Sequence, residues 1–213
     1  MQKQLILLLE TATTSCSVAL CENEHILAVK ELNERNIHAS HITLFIDEVM
    51  KKADKKYSDL HAVAISKGPG SYTGLRIGVS TAKGLCYALD IPLIGIDTLE
   101  AMAFGLLQQN EISSTDLLVP MIDARRMEVF TAMFQTDLQV IEPVNAKIID
   151  KGSFDAFDGK ELVLFGDGAY KFRELFSDRR NIKFIDFENS ATDLSHLAGE
   201  KLLKGETESL AYF

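Results

Sequence analysis

The stretch Lys67–Leu85, KGPGSYTGLRIGVSTAKGL, sets Gly68, Gly70 and Gly74 around Pro69 and the hydroxyls of Ser71 and Thr73. Glycine reaches backbone angles that side chains forbid, and proline fixes its own φ. Ser71 or Thr73 suits the N-cap of the helix that follows. Such a turn aims backbone N–H groups at an anion or at another chain. A second group is Glu10 followed by Thr11, Thr13, Thr14 and Ser15, a carboxylate beside hydroxyls. It reads either as a ligand turn for a hydrated cation and phosphate or as a polar hairpin turn with a capping carboxylate. His38 and His41 share one face of a helix, a spacing that two metal ligands can use. A metal needs further ligands, and neither HExxH nor a His/Asp cluster accompanies them, so the structural reading is favoured and no metal is expected. No GxSxG and no Walker A lysine motif occurs, and no nucleophile–base set can be defended.

Two further turns carry charge. PMIDARRMEV (Pro120–Val129) ends a buried strand on Asp123, Arg125 and Arg126, where Asp–Arg pairing is expected to brace the turn. FGDGA (Phe165–Ala169) suits a phosphate-side loop and a plain connector equally.

These groups need a framework, and the composition supports one. The chain has 213 residues, 46% of them hydrophobic, which suits one large domain or two small lobes and argues against disorder. Its apolar runs fall well short of the ~20 residues of a membrane span. Leu5–Leu9, closed by Glu10, reads as a buried strand and not as a signal peptide, so a cytoplasmic address and no membrane contact are expected. A net charge of −9 makes the chain a poor solitary binder of nucleic acid. The Lys51–Lys56, Arg125–Arg126 and Arg179–Arg180 clusters read mainly as solvated surface. Cys16, Cys21 and Cys86 form no CxxC pair and read as reduced structural thiols.

The pattern predicts strands at Gln4–Leu9, Ser15–Cys21 and Ile26–Leu32, joined by short polar turns as antiparallel hairpins. A helix over His38–Lys52, a strand at Ala62–Ser66, a helix over Gly74–Leu89, a strand at Pro92–Ile96 and a helix over Leu99–Gln108 follow. That order is the ribonuclease H-like core. The second half starts over with strands at Leu117–Ile122, Glu128–Phe134, Gln139–Ile148 and Leu162–Phe165, a helix over Ala169–Phe176 and a last helix over Leu194–Leu203. The expected fold is α/β, with two ribonuclease H-like lobes of the actin, hexokinase and Hsp70 (ASKHA) architecture, mixed sheets flanked by helices. The expected lobes are 1–104 and a smaller, degenerate 105–192, with the helix near 193–204 returning to the first. In actin-like ATPases an acidic residue at the Glu10 position helps hold hydrated magnesium, and Thr11, Thr13, Gly68, Gly70 and Ser71 are the matching nucleotide or phosphate candidates.

Helical periodicity separates two faces on each amino-lobe helix. On the first, Ala39, Ile42, Phe45, Ile46, Val49 and Met50 form the core stripe, and Leu44 lies opposite among Asp47, Glu48 and Lys51. On the second, Leu75, Val79, Ala82, Leu85, Cys86 and Leu89 are expected in the core. Opposite them run Ile77, Ser80, Thr81, Gly84 and Ala88, small and uncharged where a solvated helix carries Lys and Glu. Glycine inside a helix costs ~1 kcal/mol against alanine, so Gly84 asks for a reason. Either another helix of the same chain covers this face, or it is a subunit interface that Leu44 joins.

Nearly the whole chain resembles the TsaB (YeaZ) family, the subunit of tRNA threonylcarbamoyladenosine biosynthesis. LLETATTSCSVAL, ITLFIDEVM, KGPGSYTGLRIGVSTAKGL and PMIDARRMEVF carry the resemblance, and FGDGA and ESLAYF add to it. The family is similar to TsaD, the catalytic subunit that transfers a threonylcarbamoyl group to an adenosine beside the anticodon. TsaD carries HxxxH on its helix, whereas this chain reads HASH, which implies a non-catalytic paralogue. The resemblance also implies pairing with a TsaD-like subunit through the two amino-lobe helices. It would place that interface on His38, His41, Leu44, Ile77, Ser80, Thr81, Gly84 and Ala88. A TsaE-like ATPase would join the pair, a homodimer could form in isolation, and tRNA would be met only through the complex. No firmly bound cofactor is implied: the complex uses ATP, and this chain binds nucleotide weakly if at all. Two alternatives stand beside the subunit reading. One is a stand-alone ATP-dependent phosphotransferase or ATPase of the actin-like fold, and the other, ranked last, is a glycoprotease-like hydrolase.

Overall fold

The computed structural model describes residues 4–34 and 37–213. The chain divides into two compact units, Met1–Ala101 with Asn189–Phe213, and Met102–Glu188. The first unit is built on a five-stranded mixed sheet. Strands β1 (Leu5–Glu10), β2 (Ser15–Glu22) and β3 (His25–Asn33) run antiparallel, and β4 (Ala62–Ser66) and β5 (Leu93–Ile96) continue parallel to β1, in the order β3-β2-β1-β4-β5. β1 reads LILLLE and is buried along its whole length, as a strand covered on both faces must be. Helices α1 (His38–Lys52) and α2 (Tyr72–Leu89) lie side by side and share one core with Leu5, Leu7 and Leu9. Ile6 and Leu8 alternate to the other face and are buried as well. Helix α4 (Ser195–Lys204) packs on β1 and β5, and Glu208 forms a bridge to Leu93.

The second unit repeats the plan. β6 (Leu117–Asp123), β7 (Glu128–Phe134) and β8 (Val140–Ile148) are antiparallel, β9 (Leu162–Phe165) and β10 (Ile182–Ile185) are parallel to β6, and the order is β10-β9-β6-β7-β8. Read from its β8 edge, this is the strand order of the first unit over again. α3 (Thr98–Gln109) begins in the first unit and continues into the second.

Several expectations need correction. The helix expected over Ala169–Phe176 is a single 3-10 turn, Tyr170–Phe172, followed by hydrogen-bonded turns. Eight residues are too few to sustain a helix in isolation, and Ala169, Phe172 and Phe176 take the conformation that buries them beside Phe154. β10 was not expected, because four residues at a sheet edge carry little pattern. Ala39 is exposed, and the buried stripe of α1 starts instead at His38.

The largest correction concerns α2. Its fully buried residues are Gly74, Gly78, Ala82 and Cys86, one per turn, while Leu75, Val79, Leu85 and Leu89 are only partly buried. The helix backbone presses on the turn after β1. A Cβ on Gly74 would overlap the carbonyl oxygen of Thr11, and one on Gly78 would overlap the Thr11 hydroxyl. No such neighbour exists at Gly84, where a Cβ would meet open space. Gly74→Ala should therefore destabilise the protein by about 1–3 kcal/mol, the cost of overpacking a tight contact. Gly84→Ala should stabilise it by about 0.5–1 kcal/mol. Urea unfolding of both variants checks the opposite signs.

Candidate functional site

Glu10, Thr11, Thr13, Gly68, Gly70 and Ser71 come together at the ends of β1 and β4. Glu10, the last residue of β1, is buried. Its Oε1 accepts from the Ala12 amide at 2.5 Å, and Ser66 at the end of β4 donates its hydroxyl to Oε2. The Lys67–Ser71 loop closes onto this turn. The Ser71 amide donates to the Ala12 carbonyl at 2.6 Å, and a Cβ on Gly70 would overlap that same carbonyl. Gly68 has φ +113°, the left-handed region that favours glycine. Ser71 is the N-cap of α2 and accepts from the Gly74 amide at 3.3 Å. The glycines thus serve the approach of backbone to backbone, and the Ser71 N–H is held by protein. The Thr11 hydroxyl lies against α2 with no hydrogen-bond partner among the described residues, and Thr13 accepts from the Ser15 amide at 3.3 Å.

Sequence reasoning missed the other half of this cluster, which the segment Asn189–Leu194 supplies. Glu31 Oε2 accepts from Ser17 Oγ at 2.9 Å and from Ser190 Oγ at 2.8 Å. The Ala191 amide donates to Ser17 Oγ at 2.9 Å, and Asp193 Oδ2 accepts from the Ser190 amide at 2.9 Å. Ser190-Ala191-Thr192-Asp193 is a capping box, a pattern visible in the sequence but not tied there to β2 and β3. Burial pushes the Glu10 carboxyl up to about 7, against the hydrogen bonds from Ser66 and Ala12. Burial first, then the nearby Glu10 and Glu31 charges, push Asp193 up to about 8, against its bond from Ser190. At neutral pH Asp193 is then mostly protonated and Glu10 partly so in the folded chain, whereas both are ionised in the unfolded one.

The histidines are separated by burial. His38 is buried with its Nε2 3.1 Å from the Ser15 carbonyl, which ties the start of α1 to β2. A residue so placed is not a surface contact. His41 Nδ1 lies 2.8 Å from Ser40 Oγ, and its ring meets Phe45 edge-on. Among the described residues no three His, Cys, Asp or Glu side chains gather as a metal site. Of the other face candidates Leu44, Ser80, Gly84 and Ala88 lie at the surface, whereas Ile77, expected outward, packs in part against the core of the first unit. Leu44 is 55% exposed, Ser80, Gly84 and Ala88 are exposed, and Ile77 and Thr81 are half-buried. The Thr81 hydroxyl donates to the Ile77 carbonyl of the same helix at 2.9 Å, and the exposed residues Ser80, Gly84 and Ala88 carry no charge.

In the second unit Asp123 does brace its turn, but through Lys171 at 2.5 Å instead of an arginine side chain, and Lys171 holds the Asp123 carboxyl below its usual range. Asp167 of the FGDGA turn accepts from the Asp123 amide at 2.9 Å, so the two turns lock together. Arg125 and Arg126 both have positive φ, and Arg125 reaches Asp123 through its backbone amide, which donates to Oδ1 at 3.0 Å.

Comparison with known proteins decides the family. The model of "TsaD: tRNA N6-adenosine threonylcarbamoyltransferase" matches residues 28–198. The chain belongs to the TsaD family, in its TsaB (YeaZ) branch. The tRNA threonylcarbamoyladenosine biosynthesis protein TsaB of Escherichia coli (strain K12) is 39% identical over 132 residues, covering 62% of this chain and 55% of that protein. The chain thus spans about half the length of such curated relatives. YeaZ from Pseudomonas aeruginosa superposes with a TM-score of 0.84 at 22% identity, over 98% of this chain and 97% of that one. The fold is shared more widely. The activator of the 2-hydroxyisocaproyl-CoA dehydratase from Clostridium difficile superposes with a TM-score of 0.53 at 9% identity, over 98% and 99% of the two chains. The actin-like architecture expected from the strand order is therefore the one observed.

The carboxyls make a pH prediction whose sign follows from linkage. With the folded pKa above the unfolded one, the folded chain binds more protons, so stability falls as pH rises from about 4.5 to about 7 for Glu10 and on to about 8 for Asp193. The Glu10 part is on the order of 3 kcal/mol. Denaturant unfolding across this range should show the fall, and Glu10→Gln with Asp193→Asn should flatten it.

Proposed function

We propose that this chain is a non-catalytic scaffold and activator subunit in the formation of threonylcarbamoyladenosine on tRNA, paired with a TsaD-like catalytic subunit. One observation carries the pairing: the uncharged exposed stripe of Ser80, Gly84 and Ala88 on α2, with open space above Gly84 and with Leu44 exposed on the neighbouring helix α1. A glycine that nothing within the unit requires, on a helix whose other glycines are each explained by contact, fits a second helix approaching from another chain. Membership in a family that holds both TsaB proteins and the transferase supports the identity of the partner.

The site at Glu10 fits the non-catalytic role. Its carboxyl is sealed by Ala12 and Ser66, and the glycine-rich loop is spent on the Thr11–Ala12 turn. ATP is then used by the assembled complex, with a TsaE-like ATPase joining the pair, and any nucleotide contact of this chain alone is weak. tRNA is reached through the complex, as a net charge of −9 favours. In isolation the same stripe is open to a second copy of this chain, and the address in this reading is cytoplasmic. Among the described residues no helix is long and apolar enough to cross a membrane.

Size-exclusion chromatography with light scattering tests the pairing on this chain mixed with the TsaD protein of the same organism. A one-to-one complex is expected, and Gly84→Arg should abolish it while leaving the thermal melt intact. Failure of the wild-type chain to form any complex, with or without nucleotide, sinks the reading and favours a stand-alone ATP-dependent enzyme.

A further inference from the structure

A groove of about 530 Å³ runs along the outer side of α2 in the first unit. Its apolar wall is Leu75, Val79 and Phe213, and its polar rim is Arg76, Ser80 and Lys83, with Tyr72 at one end. Arg76 and Lys83 sit seven residues apart and so come close to one line of the helix, yet no acidic side chain lines the groove. In a chain of net charge −9, two cations over an apolar wall are the local exception.

The residues already held there show what such a surface takes. Lys83 Nζ donates to the Phe213 carbonyl oxygen at 3.1 Å, while the Phe213 ring packs against Gly95 and joins the hydrophobic core of the unit. An aromatic group on apolar surface and an oxygen acceptor on a cation are thus satisfied together at one end. Arg76 repeats the cation two turns earlier, over Leu75 and Val79, and its guanidinium rests on the Tyr72 ring 5.4 Å from the centroid. Tyr72 is itself 74% exposed. Exposed tyrosine and arginine beside an apolar pocket are the residue types that dominate the energetics of protein interfaces. A single-stranded nucleic acid would also use tyrosine and arginine, but it gains nothing from Leu75, Val79 and Phe213. Ser80 belongs both to this groove and to the uncharged stripe of α2, so the two surfaces are continuous.

We infer that the α2 groove receives an acidic, apolar-anchored segment of the partner protein, its carboxylate on Arg76 and its apolar side chain against Leu75, Val79 and Phe213. The inference rests on the pairing proposed above and adds to it an electrostatic contact beside the uncharged helix face.

The test measures the affinity of the full chain for the TsaD protein of the same organism at several salt concentrations. The variants are Arg76→Glu, Arg76→Lys and the double change Arg76→Glu with Lys83→Glu, each first shown to melt like the wild type. Arg76→Glu should weaken binding at least tenfold at low salt and reduce its salt dependence, the double change should weaken it further, and Arg76→Lys should recover most of the loss. Unchanged affinity and salt dependence in the double variant, with Gly84→Arg still abolishing the complex, overturns the groove while leaving the pairing standing. Loss of tRNA binding by the complex with protein affinity unchanged also overturns it, and gives the cations to nucleic acid. Absence of any wild-type complex removes both.

Discussion

The contact between the α2 backbone and the Thr11–Ala12 turn is the constraint on which the first unit depends. Gly70, Gly74 and Gly78 lie four residues apart, and a side chain at any of them would overlap that turn. The contact sets how deep α2 sits against β1 and β4, and thereby which of its residues face outward. The partly buried leucines flank the contact, and the small uncharged residues are left on the surface. The Ser71 N-cap and the Ser71–Ala12 hydrogen bond hold the first turn of the helix in the same place. A loop that looks like a phosphate cradle is here the seat of a helix. The outward face of that helix, not the loop, is what stays exposed.

A second constraint is the closing of the sheet by the segment that follows Glu188. Its Ser190 and Ala191 bond to Glu31 and Ser17 on neighbouring strands, and Asp193 is buried close enough to Glu10 to feel its charge. The result is a polar knot of carboxyls and hydroxyls at the end of an otherwise apolar sheet. Such a knot is stable only while its members are satisfied, and here protons take the place that counter-charges would occupy elsewhere.

Much of this was legible in the sequence, because long runs of periodic or buried residues report directly on the strands and helices that hold them. The twelve strands and helices expected from Gln4 to Phe165 all appear within two residues of their observed bounds. What escaped was decided by contacts between segments far apart in the chain. Nothing local distinguishes Gly74, which is jammed against Thr11, from Gly84, which meets nothing. Nothing around Asp123 shows that Lys171, and not the adjacent arginines, completes the turn. The short Ala169–Phe176 run has helical composition, but the burial of Phe172 and Phe176 overrules it. The groove on α2 was invisible because Phe213 forms its wall from the other end of the chain.

The first unit is assembled from two stretches of chain, Met1–Ala101 and Asn189–Phe213, with the whole of Met102–Glu188 made between them. During synthesis the second stretch leaves the ribosome after the intervening unit. At ~5–20 residues per second the intervening unit takes roughly 5–20 s to make, and for that interval Ser17 and Glu31 await their bonds to Ala191 and Ser190. The second unit, continuous in sequence, has no such wait. Order of completion therefore runs against order of synthesis: the unit begun first is completed after the other, and the surface that α2 presents rests until then on a sheet whose polar end is still open.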